Sequence, residues 1–170
     1  ADDRVQARGI AATGEYTNAM APAFTHVDAI DVEIDRLALY TQDHPDNVSV
    51  HTQSVTSLEF ADDTFDVVTM IEVLEHLPDV AGALAEIRRV LRPGGLLVVA
   101  NVSFMSAGNG WARNGEGRRL YYPLDNYLEE RAVEVQWSGV RVVNWHRPLG
   151  AYMAAYLDAG LLLRDFIDPM

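Results

Sequence analysis

Residues 62–101 read DDTFDVVTMIEVLEHLPDVAGALAEIRRVLRPGGLLVVAN. The stretch reads as turn, strand, loop, helix, turn, strand. Residues 65–70 are short and rich in Val and Thr, the composition of a buried strand. Asp79 follows Pro78 and is placed to cap a helix. In that helix Val80, Leu84, Ile87 and Leu91 fall on one face at helical spacing. Pro93, Gly94 and Gly95 are expected to stop it. Residues 96–100 are a second continuous apolar run. Strand, helix and strand joined by short connections imply a parallel crossover, and parallel strands are buried on both faces. The stretch therefore predicts a layered α/β domain.

FDVVTMIEVLEHLPD followed by LAEIRRVLRPGGLLVV resembles the central segment of class I S-adenosylmethionine-dependent methyltransferases. The group it is most similar to is the small-molecule group called methyltransferase type 11. The strand, the EVLEHL turn and the RVLRPGG stop carry the resemblance by their order and spacing, and it extends less cleanly over most of the chain. It implies a Rossmann-like, doubly wound, mostly parallel sheet. A lid loop and a β-hairpin insertion would lie over the active site. Residues 1–170 would form a single domain, with 102–147 as the acceptor-side lid and hairpin. It also implies S-adenosyl-L-methionine as cofactor.

Upstream, a strand is expected around residues 4–7 and a helix over 16–24. Between them GIAATG, residues 9–14, is the candidate nucleotide loop. Small residues there let the backbone approach a ligand. The family loop runs acid–x–Gly–x–Gly–x–Gly. Aligning Gly14 with its last glycine puts Ala12 on the middle one, Ile10 on the first and Arg8 on the acid. Using Gly9 as the first glycine requires one extra residue. Either way the acid is missing. Residues 26–31 form the expected second strand, with Asp31 at its carboxyl end. An acid there can take both ribose hydroxyls, or it simply starts a solvated turn. The resemblance assigns it the ribose role and sets Val32 beside the adenine. Asp28 alternates the wrong way and is the poorer candidate. A helix follows from about Asp35. Residues 48–52 alternate as a third strand. Ser54 stands where the family often has Asp, and its hydroxyl is a weaker acceptor for the adenine amino group. The Val55 backbone N–H would meet an adenine ring nitrogen. Leu58 and Phe60 read as core.

After the fourth strand, the backbone carbonyls of Met70 and Ile71 would receive the cofactor's ammonium group. Glu72, Glu75 and His76 lie where the transferred methyl should sit. His76 is a candidate catalytic base, because an imidazole can accept a proton from an attacking hydroxyl. The alternative is that it orders the loop. Residues 102–119 read as a long loop rich in Gly and Asn that carries Trp111, Arg113, Arg118 and Arg119. This is an aromatic, partly basic lid suited to a planar or anionic acceptor, or else plain aromatic packing. Residues 131–146 alternate as a hairpin around Ser138 and Gly139. His146 at its end is the second catalytic candidate, or an anchor of the hairpin. A helix with Tyr152, Ala155, Tyr156 and Ala159 on one face follows and ends at Gly160, and residues 161–167 begin another strand. The family fold normally starts with a helical cap and finishes with one more antiparallel strand; the expectation here is that the ends are disordered or trimmed, or that the fold is shortened.

The chain has 170 residues, of which 49% are hydrophobic, enough for one domain with a core. Its formal net charge of −12 disfavours a nucleic-acid substrate. Cysteine is absent, which excludes disulfides, thiolate nucleophiles and Cys-ligated zinc and suits a cytoplasmic protein. No run reaches membrane-spanning length, so no membrane partner is expected, and no signal peptide is visible. A homodimer stays open. No metal cluster with convincing spacing is present. The expected function is transfer of a methyl group from S-adenosylmethionine to a small-molecule acceptor by in-line displacement. Two alternatives stand beside it. One is a non-catalytic cofactor-binding scaffold, suggested by the irregular first loop and Ser54. The other is a dinucleotide-dependent enzyme, suggested by Gly9, Ala11, Gly14 and Asp31.

Overall fold

The structure is a computed structural model that describes residues 6–10, 14–32, 44–101, 111–137 and 140–167. Its contacts divide the chain into two units, Ala1–Ile71 with Ala81–Ala100, and Glu72–Val80 with Asn101–Met170.

Among its described residues the first unit holds five strands: β1 (Gln6–Ile10), β2 (His26–Asp31), β3 (Val48–Thr52), β4 (Phe65–Ile71) and β5 (Leu91–Ala100). They form one sheet in the order β3-β2-β1-β4-β5, and every pair in it is parallel. The four central residues of β2, from Val27 to Ile30, are all buried, as a strand covered on both faces requires. Val27 and Ala29 pack with Ala21 and Val48 into a core cluster that Phe24, Val50 and Val67 flank. Asp28 shares that interior because it is paired: the His51 ring donates from Nε2 to its carboxylate at 2.7 Å, and His26 stands 3.5 Å away.

Three boundaries differ from expectation. β1 runs on to Ile10, so Gly9 is a strand residue opposite Ala29 and the turn begins later. Helix α1 is only Glu15–Met20; a 3-10 turn, Ala21–Ala23, follows with Pro22 in its first positions, because proline lacks the N–H that would continue the α-helical ladder. Helix α2 spans Val80–Val90 and buries Val80, Ala83, Leu84, Ile87 and Val90. It stops before the Pro-Gly-Gly motif, since Leu91 already pairs with Phe65. The motif instead forms an irregularity inside β5, which resumes at Leu96 opposite Val67. Gly94 there has φ +81, and a Cβ on Gly95 would meet the Arg92 carbonyl oxygen at 2.9 Å. The helix expected from Asp35 lies outside the described residues.

Arginines of the central motif fasten this unit. Arg89 donates to Glu86 and Asp62 and to the carbonyls of Phe60 and Leu58. Arg92 grips both Asp66 carboxylate oxygens at 2.8 Å.

The second unit contains a 3-10 turn, Leu74–His76, two hairpins and one helix. Strands β6 (Ala112–Arg113) and β7 (Arg119–Tyr121) pair antiparallel. The second half of the expected lid loop is thus a small hairpin. The Asn114 side chain holds it by accepting from the N–H groups of Glu116 and Arg118, and Gly117 supplies φ +79. Residues 102–110 lie outside the description. Strands β8 (Arg131–Trp137) and β9 (Val140–His146) pair antiparallel from Arg131 opposite His146 to Trp137 opposite Val140, as the alternation predicts. Helix α3, Leu149–Asp158, ends on Gly160 at φ +77, where the Leu161 N–H reaches the Tyr156 carbonyl and the Gly160 N–H reaches that of Leu157. Burial pushes the Tyr156 phenol on this helix up to about 12, with the Tyr152 phenol adding to the rise. Residues 161–167 form no strand and are mostly exposed: a strand exists only through ladder partners, and none pairs with them among the described residues.

Candidate functional site

The strand order switches between β1 and β4: the chain runs outward from β1 through β2 to β3, then returns to the centre of the sheet as β4 and continues to β5 on the other side. In open α/β sheets ligands bind outside the carboxyl ends of the strands at such a switch point. The expected cofactor residues of the first unit gather along this edge. Ile10 ends β1 opposite Ile30, and Asp31 ends β2 opposite Thr52. Gly14 is buried with φ 79, a left-handed geometry that favours glycine, and its carbonyl accepts from Asn18 as α1 begins. Ala12 lies outside the described residues. Asp31 is half-buried, and its carbonyl takes the Gln53 N–H at 3.1 Å, which draws the chain after β3 to the end of β2. Val32 beside it is 63% exposed, an apolar side chain left open at a polar edge. Ser54 is in a tight turn, where its hydroxyl meets the Thr56 hydroxyl at 2.8 Å and accepts from the Thr56 N–H. The Val55 side chain is buried, as are those of Leu58 and, at the end of β4, Met70. Ile71 closes the ladder opposite Ala100. A half-buried carboxylate, an open apolar side chain and a glycine turn on one strand edge fit the nucleoside part of S-adenosylmethionine: the acid for the ribose diol, the apolar surface for the ring.

The second unit carries the two histidine candidates, in unlike settings. Its first residue, Glu72, has φ 53 although it is not glycine. Such a backbone persists only where its surroundings hold it, and it recurs at functional turns. The 3-10 turn Leu74–His76 follows and packs on β9. His76 is exposed there, and its backbone N–H is bonded to the Val73 carbonyl. Glu75 is buried, and its Oε2 has no hydrogen-bond partner. Burial raises the Glu75 pKa; a backbone hydrogen bond and the neighbouring His76 oppose the rise, and Glu72 adds to it. His146, at the end of β9, is fully buried. Its Nε2 lies 2.7 Å from the Tyr127 carbonyl oxygen, which can only accept, so Nε2 carries the proton. In the neutral ring this leaves Nδ1 as a bare acceptor, and Nδ1 has no partner. Tyr127 also stacks at a tilt against the same ring, and its hydroxyl accepts from the Leu149 N–H where α3 starts.

Arg147 was not singled out by the sequence, yet it organises this unit. Its guanidinium is buried and donates to the carbonyls of Leu74 (3.4 Å), Leu77 (2.8 Å) and Pro78 (2.9 Å). It stacks over Trp145 and stands 3.6 Å from a Glu130 carboxylate oxygen. The turn is thereby fixed at three points by a residue about seventy positions away in the chain. Among the described residues no group of three or more His, Cys, Asp or Glu side chains is placed to hold a metal ion, and no helix is long and apolar enough to cross a membrane.

Comparison with known proteins agrees with this architecture. Residues 9–99, more than half of the chain, match the family model described as a methyltransferase domain. A demethylmenaquinone methyltransferase from Renibacterium salmoninarum is 37% identical over 98 residues, covering 58% of this chain and 41% of the relative. A ubiquinone biosynthesis O-methyltransferase from Aeromonas salmonicida is 33% identical over 94 residues, covering 53% of this chain and 40% of the relative. The chain thus spans about two fifths of the length of these curated relatives. Among solved structures, an S-adenosylmethionine dependent methyltransferase from Mesorhizobium loti superposes with a TM-score of 0.83 at 24% identity, over 95% of this chain and 76% of that one. The fold is therefore the Rossmann-like α/β fold of these proteins.

Proposed function

The chain belongs to the methyltransferase-domain family, and on that premise we propose that it transfers a methyl group from S-adenosylmethionine to a small-molecule acceptor. The observation that carries this reading is the strand edge of the first unit, where the left-handed Gly14 follows β1 beside the switch point of a parallel sheet and Asp31 and the open Val32 end the neighbouring β2. When bound, the cofactor supplies a sulfonium methyl group and a good leaving group in one molecule. Little covalent chemistry is then left to the protein; its task is alignment and exclusion of water.

In this reading Gly9 near the end of β1 and Ala12 and Gly14 after it bring the backbone close to the cofactor, and Asp31 accepts from the ribose hydroxyls. Val32, Ser54 and Val55 border the adenine, and the Met70 and Ile71 carbonyls accept from the ammonium group. Residues 102–147 serve the acceptor side of a single catalytic domain. His76 and His146 are the candidate bases for an acceptor that must lose a proton. His146 is the better prepared of the two, because the Tyr127 carbonyl fixes its tautomer and leaves Nδ1 to take that proton. The curated relatives, named for demethylmenaquinone and for ubiquinone biosynthesis, support a small-molecule acceptor. The net charge of −12 speaks against nucleic acid, the lack of cysteine suits the cytoplasm, and a homodimer is compatible with the reading.

Isothermal titration with S-adenosylmethionine, S-adenosylhomocysteine and NADH tests it. Micromolar binding of the two sulfur ligands without NADH is the expected result. Binding of NADH alone would move the chain to a dinucleotide enzyme, and binding of none would favour a non-catalytic role.

A further inference from the structure

Asn144 and His146 alternate along β9 and so share one face of the hairpin. The turn that carries Glu75 packs on this strand. Arg147 is bonded to the Leu74 carbonyl, so Glu75 and His146 each lie one residue along the chain from the ends of that bond. All three side chains hold a buried polar atom without a partner: Glu75 Oε2, Asn144 Oδ1 and His146 Nδ1. With Nε2 of His146 committed to the Tyr127 carbonyl, each of the three can serve as an acceptor that lacks a donor. Buried polar atoms are rarely left so, and each one costs stability. Three on adjoining segments, beside a turn clamped by a buried arginine and entered through the left-handed Glu72, form a pattern that stability alone does not explain.

We propose that Glu75, Asn144 and His146 form a polar subsite of the second unit that takes a small molecule through its hydroxyl or N–H donors, with Arg147 as the positioning residue of the turn that presents Glu75. As the hold on the methyl acceptor, this subsite rests on the methyl-transfer reading. Donors on the ligand complete the three acceptors, and a hydroxyl delivered to His146 Nδ1 can pass its proton there.

Asn144→Leu separates this role from a structural one. Leucine has a similar shape and removes an unpaired polar group, so thermal unfolding should shift upward by about 2–4 °C. Nitrogen NMR of the His146 ring, in the full chain without cofactor, reads the binding. Catechol, which carries two adjacent hydroxyl donors, should move the Nδ1 resonance; veratrole, the same ring with both donors methylated, should not. In Asn144→Leu the catechol response should weaken about tenfold, the loss of roughly one hydrogen bond. If Asn144→Leu does not fold, Glu75→Gln reads the same change in the catechol response. A lower melting temperature for Asn144→Leu would show these atoms to be internal structural partners and overturn the proposal. Equal responses to catechol and veratrole, or none to either, would overturn it as well. Titration of the wild type with S-adenosylmethionine, run separately, judges the methyl-transfer reading, so failure of one is distinguishable from failure of the other.

Discussion

Arg89 and Arg147 do similar mechanical work in opposite surroundings. Each reaches far along the chain to hold backbone carbonyls. Arg89, in the first unit, also meets Glu86 and Asp62 at 2.8 Å, and these bonds raise its pKa further above the ordinary arginine value. Elsewhere in this unit Asp28 is matched with His51 and Asp66 with Arg92. Thr17 is the one side chain of this unit with a buried unpaired atom among the described residues. Arg147, in the second unit, holds three carbonyls, with its nearest carboxylate at 3.6 Å. Near it in the chain or across its bonds, Glu75 and His146 keep unpaired buried atoms. The difference teaches how the labour is divided. Among the described residues the first unit is a frame with a single unpaired buried polar atom, and it carries the edge proposed for the cofactor. The second keeps polar groups unsatisfied, as chemistry on a ligand requires and as stability alone would not favour.

The comparison can be broken by mutation. The largest effect is expected from Arg147→Met, which strands three carbonyls around a buried side chain; a loss of about 3 kcal/mol should appear in urea unfolding. Arg89→Met should cost less, about 2 kcal/mol, because its side chain is partly exposed and its carboxylate partners can turn to water. The reverse order would mean that the frame, and not the turn, depends more on its clamp. Gly95→Ala should cost about 1–2 kcal/mol, because the new methyl group would crowd two backbone carbonyl oxygens and a Leu91 methyl; an unchanged melting curve would show that β5 can shift there.

Glu75 gives the subtlest effect and the sharpest sign. An acid whose folded pKa is raised binds more protons folded than unfolded between its two pKa values. Its contribution is therefore fully present below the ordinary value of 4.5 and is lost as pH rises through the raised one. Wild-type stability should decline across that window, and Glu75→Gln should remove the decline. Urea midpoints measured from mildly acid to neutral pH check this; parallel profiles for the two proteins would contradict it.

What the sequence made legible follows from range. β2 and β3 have the boundaries that alternation and turn residues predict, since both signals are local. The family motif located β4, α2 and β5, although the Pro-Gly-Gly run proved to shape a strand irregularity and not a helix end. The strand expected over 161–167 failed because a strand needs a partner, and that is not written in its own residues. Asn114 and Gly117 did carry a local signal for the β6–β7 hairpin, hidden in a run that read as loop. Of the candidate site, Asp31 was legible from its place at a strand end. Arg147 was not, because its partners lie about seventy residues away. Nor was the pairing of Asp28 with His51, which makes a buried acid structural.

The central claim is that cofactor binding belongs to the edge of the first unit and acceptor chemistry to the second. The most direct test is isothermal titration of S-adenosylmethionine into wild type, Asp31→Ala and Asn144→Leu. Loss of the carboxylate proposed to hold the ribose should weaken binding at least about tenfold in Asp31→Ala, while Asn144→Leu should bind as the wild type does. Equal binding by Asp31→Ala and the wild type, or loss of binding in Asn144→Leu alone, would contradict the account.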